Sequence, residues 1–290
     1  MSFFFPRSRF VRSAGRAGTE PLTNEQIMRA APSAFAVEKH ESRSERYAYI
    51  PTSEVIDCLR GNGFVPMFAK QGNSRVPGKA DFTKHLIRFR HEGQKAGMRK
   101  VGDTYPEVIL VNSHDGTSAY KIMAGLFRLV CLNGMVVSDR EFANVSIPHK
   151  GNVTDLVIEG SYTVLDESRK ALEAADAWAG VTLSRGEQMA MAEAAHVVRF
   201  GDGEGEAATP IKPEQLLAVR RHADAGADLW RTANTIQENV IRGGLTAWGR
   251  DANNQPRRTT TREVRGIDAD VKINKALWLL SERMAQLKAA

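Results

Sequence analysis

The stretch Glu107–Val137, EVILVNSHDGTSAYKIMAGLFRLVCLNGMVV, constrains the fold more than any other. Val108 and Leu110, with Asn112, alternate with Ile109 and Val111, the period of two that belongs to a strand with two apolar faces. His114-Asp115-Gly116 follows, and Asp-Gly supplies residues that tolerate positive φ in a tight turn. The return segment Tyr120–Leu132 admits two readings. A period of two groups Ile122, Ala124, Leu126, Val130 and Leu132, with Arg128 as the exception. Helical spacing groups Ile122, Met123, Leu126, Phe127 and Val130 equally well. The preceding turn and the β-forming residues around Val130 favour the strand.

Upstream of this stretch lie two short helices and a basic segment. Thr23-Asn24-Glu25-Gln26 fits a capping box ahead of Ile27, Met28, Ala30 and Ala31, and Pro32 stops that helix. A second helix is expected over Pro51–Asn62, capped by Thr52 or Ser53, with Val55, Ile56 and Leu59 on its apolar face and Gly61 and Gly63 at its end. Phe64–Ala69 reads as a strand. Lys70–Lys100 then carries nine basic residues against Asp81 and Glu92, a net +7 that exceeds the +6 of the whole chain. Within it Leu86, Ile87 and Phe89 interleave with Arg88 and Arg90, which predicts a strand with one basic, solvent-facing side. A solvated charged face is the plain alternative to a groove that tracks phosphates.

Beyond about Gly151 the character becomes helical. Thr163–Ala179 has Val164, Ala171, Leu172, Ala175, Trp178 and Ala179 at helical spacing. Ser184-Arg185-Gly186-Glu187 is a capping box for a helix that Gly201 closes. An acidic loop over Gly201–Thr209 follows, and Pro213 suits a first helical position. Leu229, Ala233, Ile236 and Val240 mark a helix ended by Gly243-Gly244. Asp268 can cap a last helix carrying Ile273, Ala276, Leu277, Leu280, Met284 and Leu287. Trp178, Trp230 and Trp278 fall on apolar helix faces and read as core. Arg250, Arg257, Arg258, Arg262 and Arg265 form a second basic segment, read as loop. The fold class is therefore α+β: an antiparallel sheet with a basic face in the N-terminal half, packed with helices, and a mostly helical C-terminal half. The expected division is a basic arm and short helix over 1–30, a sheet domain over 31–150 and a helical region over 151–290. The arm holds Arg7, Arg9, Arg12 and Arg16 among Phe3, Phe4, Phe5 and Phe10, either a phosphate-binding and stacking arm or a frayed terminus.

A sequence pI near 9.4 favours a polyanionic partner, nucleic acid before acidic membrane. Cys58 and Cys131 are far apart and fit reduced thiols. No apolar run approaches the ~18 residues of a membrane span, and Phe3-Phe4-Phe5 is too short for a signal peptide, so a cytoplasmic protein is expected.

Catalytic chemistry is sparse. Gly78-Lys79 is followed by Ala80 and lacks the upstream glycine of a phosphate-binding loop, while the glycines of 201–205 stand in an acidic context. No two of the seven histidines sit at i,i+4 on a helix, and neither cysteine belongs to a ligand cluster. A composite metal site from His114, Asp115 and His149 competes with the turn chemistry that already accounts for Asp115. Cys131 lies in an apolar run where thiols are inert. Asp166-Glu167 and Asp268/Asp270 read as exposed helix faces and caps. No catalytic residue, cofactor or metal is expected.

The stretch NSHDGTSAYKIMAGLFRLVCLNGMVV (Asn112–Val137) resembles a family known as domain of unknown function 932, found on phages, prophages and plasmids. The resemblance continues through His149-Lys150-Gly151-Asn152. It returns in NTIQENVIRGGL (Asn234–Leu245), TREVRGIDADVKINKALW (Thr261–Trp278) and YAYIPTSEVIDCL (Tyr47–Leu59). The family implies a mobile-element context rather than an activity. The element order (a helix, a curved antiparallel sheet with a basic face, then a long helix) is also similar to single-strand annealing recombination mediators, which assemble into rings and hold single-stranded DNA in a basic groove.

The resulting expectation is a non-enzymatic phage- or plasmid-borne DNA-binding protein, a homo-oligomer that binds or anneals single strands in recombination or replication. Its groove would be lined by Arg75, Lys79, Lys84, Arg88 and Arg90, with Arg99, Lys100, Arg128 and Lys150 beside them. Arg250, Arg257, Arg258 and Arg262 would contribute from the second basic segment. Phe82 and Phe89 are the candidates for base stacking. The alternatives are an inhibitor that presents a charged surface to a host defence factor, and a nucleic-acid-processing enzyme with a site near His114.

Overall fold

β4 (Thr104–Asn112) and β5 (Tyr120–Arg128) run antiparallel, Val108 opposite Ala124 and Leu110 opposite Ile122. The strand reading of the return segment holds over Tyr120–Arg128. The computed structural model describes residues 13–14, 20–42, 49–74, 76–93, 104–128, 133–136, 145–149, 152–201, 209–250 and 253–290. Most of the N-terminal arm, the expected strand residues Val130 and Leu132, the expected acidic loop over 202–208, and Arg75, Arg99, Lys100, Cys131 and Lys150 lie outside the described residues.

On one side of the central pair stand β3 (His85–His91), β2 (Phe64–Gln71) and β1 (Ser13–Ala14). On the other side, β6 (Asn133–Val136) and β7 (Val145–Ile147) pair with opposite ends of β5. All pairings in this seven-stranded sheet are antiparallel. Gly116 holds φ +78° in the loop between β4 and β5, where Asp115 Oδ1 accepts from the Thr117 amide at 3.0 Å.

Period two sends alternate side chains to two different covers. Phe64, Ala69, Ile87, Phe89, Val108, Leu110, Tyr120, Ile122 and Leu126 join the main core. That core also takes Ile27 and Ala30 of α1 (Asn24–Ala30), Val55, Ile56 and Leu59 of α2 (Thr52–Gly61), and Val153, Val157 and Val164 of α3 (Val153–Trp178). Leu86, Ile109, Val111 and Met123 face the other way. With Phe68 they pack against Ile267 and Val271 at the start of α6 (Ile267–Ala289). The start of α6 therefore lies across the second face of the sheet, while α3 covers the first.

Local signals set most helix starts. Thr23 and Ser184 both complete capping boxes, the second opening α4 (Arg185–Phe200), which Gly201 closes. Five details differ from expectation. α3 begins at Val153, ten residues before the expected start, where the Asn152 side chain accepts from the Asp155 amide. Thr52 does not cap α2, and Asp268 does not cap α6, because the cap positions fall at Pro51 and Gly266 and put both residues inside the first turn. Pro213 opens a short 3-10 turn, and the helix ended by Gly243 is α5 (Leu229–Arg242). The second basic segment is a β-hairpin rather than loop: β8 (Thr246–Arg250) pairs with β9 (Pro256–Thr260). Trp178, Trp230 and Trp278 meet where α3, α5 and α6 cross, with Trp178 and Trp278 ring centres 4.5 Å apart.

Candidate nucleic-acid interface

Arg88 and Arg90 share one face of β3, as their alternation requires, but that face is not solvent. Glu107 of β4 stands on the same face, only 1% exposed. Arg90 Nη2 donates to its Oε1 at 2.9 Å, and Arg88 Nε lies 3.5 Å from its Oε2, an ion pair without hydrogen-bond alignment. The Arg88 guanidinium is sandwiched between the rings of Phe68 and Phe127 at 4.5 and 4.6 Å, and that of Arg90 stacks on Tyr105 at 3.8 Å. Burial pushes Arg88 down from its ordinary value, with Glu107 acting against that shift. Other cations of this face are paired by the C-terminal half. Lys70 donates to Asp270 at 3.2 Å and Lys84 to both oxygens of Asp268 at 2.7 Å. The solvent-facing basic strand is therefore corrected: cover by the start of α6 turns these cations inward. Arg128, which alternation puts on the Leu126 side of β5, is bound to the buried Asp224. Phe89 is corrected too. It points into the main core and is fully buried, so no base can reach it. Phe82 is half-buried with its ring edge-on to His40 at 5.3 Å, and Lys79 is half-buried nearby.

At the other end of β3 the sheet holds a buried polar knot. Thr52 Oγ1 lies 2.9 Å from His85 Nε2, 3.1 Å from His114 Nε2, 3.1 Å from Asn112 Nδ2 and 3.3 Å from the Tyr120 hydroxyl. Ser33 Oγ reaches His85 Nδ1 at 2.9 Å, and His149 Nε2 meets Asn112 Oδ1 at 3.0 Å. One hydroxyl offers a single proton and two lone pairs, and Asn112 fills one lone pair, so one proton and one lone pair remain for the two imidazoles and the Tyr120 hydroxyl. Both rings are neutral. Burial lowers His85 to about 3 and His114 to about 4, with the neighbouring histidines adding to the shift. Asp115 is spent on Thr117, whose hydroxyl donates to it at 2.6 Å. Among the described residues no group of three His, Cys, Asp or Glu side chains is placed to hold a metal, so the composite site at His114, Asp115 and His149 does not assemble. Thr52 and His114 are fully buried, which closes the knot to a substrate.

The accessible positive charge stands on the hairpin. Gly243, at φ +66°, makes the turn from α5 into it, and a Cβ there would meet the backbone of Thr261 and Arg262 at 2.7 Å. The Gly244 amide donates to Thr261 O at 2.8 Å, closing the base of the ribbon. Arg250, Arg257, Arg258 and Arg262 are all exposed, and none has an ion-pair partner among the described residues. Further arginines gather at the base. Arg199 Nη2 donates to Arg262 O at 2.9 Å, and Arg220 Nε donates to Asn239 Oδ1 at 2.6 Å while its Nη2 caps Gly243 O. Arg221 and Arg242 converge on the buried Glu238. Sequence reasoning missed Trp248 and these base arginines. Neither Thr246–Arg250 (TAWGR) nor Pro256–Thr260 (PRRTT) alternates apolar with polar residues, and the local signal for the hairpin was the polar turn Asn253-Asn254-Gln255, with Asn254 at φ +59°.

The molecule is thus an α+β protein with a neutralised sheet face and an uncovered arginine ribbon. No helix among the described residues is long and apolar enough to cross a membrane. The chain belongs to the family described as "Domain of unknown function (DUF932)", which matches residues 39–278. It is similar to two proteins of Escherichia coli (strain K12), UPF0380 protein YafZ and UPF0380 protein YfjQ. Each is 47% identical over 264 residues, covering 91% of this chain and 92% of the relative. No solved structure matches the chain.

Proposed function

We propose that this protein binds DNA through the arginines of the β8–β9 ribbon, as a phage- or plasmid-borne factor that handles single strands in recombination or replication. The observation that supports the reading is the contrast in pairing. Sheet cations are matched to carboxylates of the same chain, whereas Arg250, Arg257, Arg258 and Arg262 are exposed without one. Several guanidinium groups left in water on one hairpin and its base favour a polyanion, and phosphate is among the anions their planar fork matches. Strand annealing and self-assembly rest on element order and belong to the same proposal.

The test is binding to a labelled oligonucleotide over a salt series. The paired substitution Arg257→Glu and Arg258→Glu is expected to weaken binding at least tenfold. If each arginine meets one phosphate of a single strand, losing two lowers the logarithmic salt slope by about 1.4. Unchanged affinity and slope would overturn the assignment of the ribbon. Absence of binding by the unmodified protein at low salt would overturn the DNA reading itself and turn attention to an acidic protein partner.

A further inference from the structure

We infer that Trp248 is a base-stacking residue, which makes the ribbon selective for single-stranded nucleic acid over duplex; this rests on the nucleic-acid reading of the ribbon. Alternation along β8 and the register with β9 sort the ribbon into two faces. Ala247 and Gly249 turn inward. Ala247 packs on the main core, and a Cβ at Gly249 would stand 3.0 Å from Pro210 Cβ. Trp248 and Arg250 share the opposite face. Directly across from them in β9 stand Arg258 and Pro256.

Trp248 is 71% exposed, whereas Trp178, Trp230 and Trp278 are all buried. The other prominent exposed aromatic, Tyr162, is accounted for by the chain itself: its hydroxyl donates to Asn62 O at 3.1 Å and its ring packs on Phe64 at 5.1 Å. Among the described residues Trp248 has no ring contact and its indole N–H has no acceptor. A large apolar ring held on a backbone fixed by Pro210 below and by Gln215, whose Nε2 donates to Thr246 O at 2.9 Å, is a preordered platform. Flanking guanidiniums supply phosphate contacts on both sides of it. Bases in a duplex are already stacked on one another, so this ring adds binding only where a base face is free.

The probes are oligo-dT, oligo-U and a mixed-sequence duplex, read by tryptophan fluorescence of the full chain. Because the other three tryptophans are buried, quenching reports on Trp248. Quenching by the single strands is expected. Trp248→Ala should lose single-strand affinity by roughly 5- to 150-fold per stacked base. Its duplex affinity and melting temperature should stay unchanged, and Trp248→Phe should restore most of the loss. Tighter binding of oligo-dT identifies DNA as the strand and tighter binding of oligo-U identifies RNA; either supports stacking. If the unmodified protein binds oligo-dT without quenching and Trp248→Ala binds equally well, stacking is overturned while the arginine reading stands. If no oligonucleotide binds, both fall.

Discussion

Two basic segments of this chain look alike on paper and meet opposite fates. The β3 strand and the β8–β9 ribbon each carry arginines on strands with two distinct faces. Over β3 the second face of the sheet is roofed by the first turns of α6, so the arginines lie inside and each needs an internal anion. Nothing among the described residues roofs the outer face of the ribbon, so its arginines stay in water. Alternation reports that a strand has two faces. What lies over each face decides whether a charge there is part of the architecture or available to a partner.

The largest effect that separates the two segments is expected at Glu107. Glu107→Ala leaves Arg88 and Arg90 under the roof with their shared carboxylate gone. Removing one partner of a buried pair typically costs about 3–5 kcal/mol. Chemical denaturation of that variant should show a loss of this order. The matched change on the ribbon, Arg258→Ala, should stay within about 0.5 kcal/mol, as exposed positions usually do. Equal stability of the two variants would remove the distinction between an internal and an available arginine.

Acid should divide the molecule along the same line. His85 and His114 are held neutral in the fold by burial, at about 3 and about 4, with Asp115 and His149 the charged or titratable groups facing them. The unfolded chain takes up protons on both rings near pH 6.5, so below that pH it binds more protons than the fold. Stability is complete above about pH 6.5 and falls as the pH drops toward 4. At pH 5.5 the two rings together account for a loss of roughly 3 kcal/mol. His85→Gln combined with His114→Gln should flatten that slope in urea melts at pH 5.5 and 7.5. Nucleic-acid contacts through guanidinium groups do not depend on imidazole protonation, so oligonucleotide affinity of the folded protein should hold constant while its stability declines.

How much of this was legible in the sequence follows from the distance between partners along the chain. β4 and β5 could be read because their alternation is local and their partners are near. Both capping boxes could be read because all the atoms involved lie within four residues. The roof over β3 could not. Arg90 finds Glu107 after 17 residues, and Lys84 and Lys70 find their aspartates in α6 after 184 and 200. The polar knot was hidden for the same reason: Thr52 has the residue type and position of a helix cap, and only the folded chain brings His85, His114 and Asn112 around its hydroxyl. The ribbon stands between these cases. Its arginines were singled out, but reading the segment as loop concealed that Trp248 and Arg258 face each other across two strands.

The smallest effect bears on whether the roof is fixed. Lys84 and Asp268 form the outermost of its ion pairs, with the Asp268 side chain 79% exposed. A pair open to water on one side contributes about 0.2–1 kcal/mol and weakens with salt. Asp268→Asn should therefore cost no more than that, and the cost should shrink in high salt. Deeper in, Lys70 and Asp270 remain together, with burial raising the Asp270 carboxyl and Lys70 opposing the rise. Combining Asp268→Asn with the Arg257→Glu and Arg258→Glu ribbon variant provides the sharper measurement. A permanent roof predicts that DNA affinity stays at the ribbon-variant level, because Arg88 and Arg90 remain committed to Glu107. Recovery of affinity in the combined variant would mean that the start of α6 can lift from the sheet, making the basic face a covered DNA-binding surface in place of a closed one.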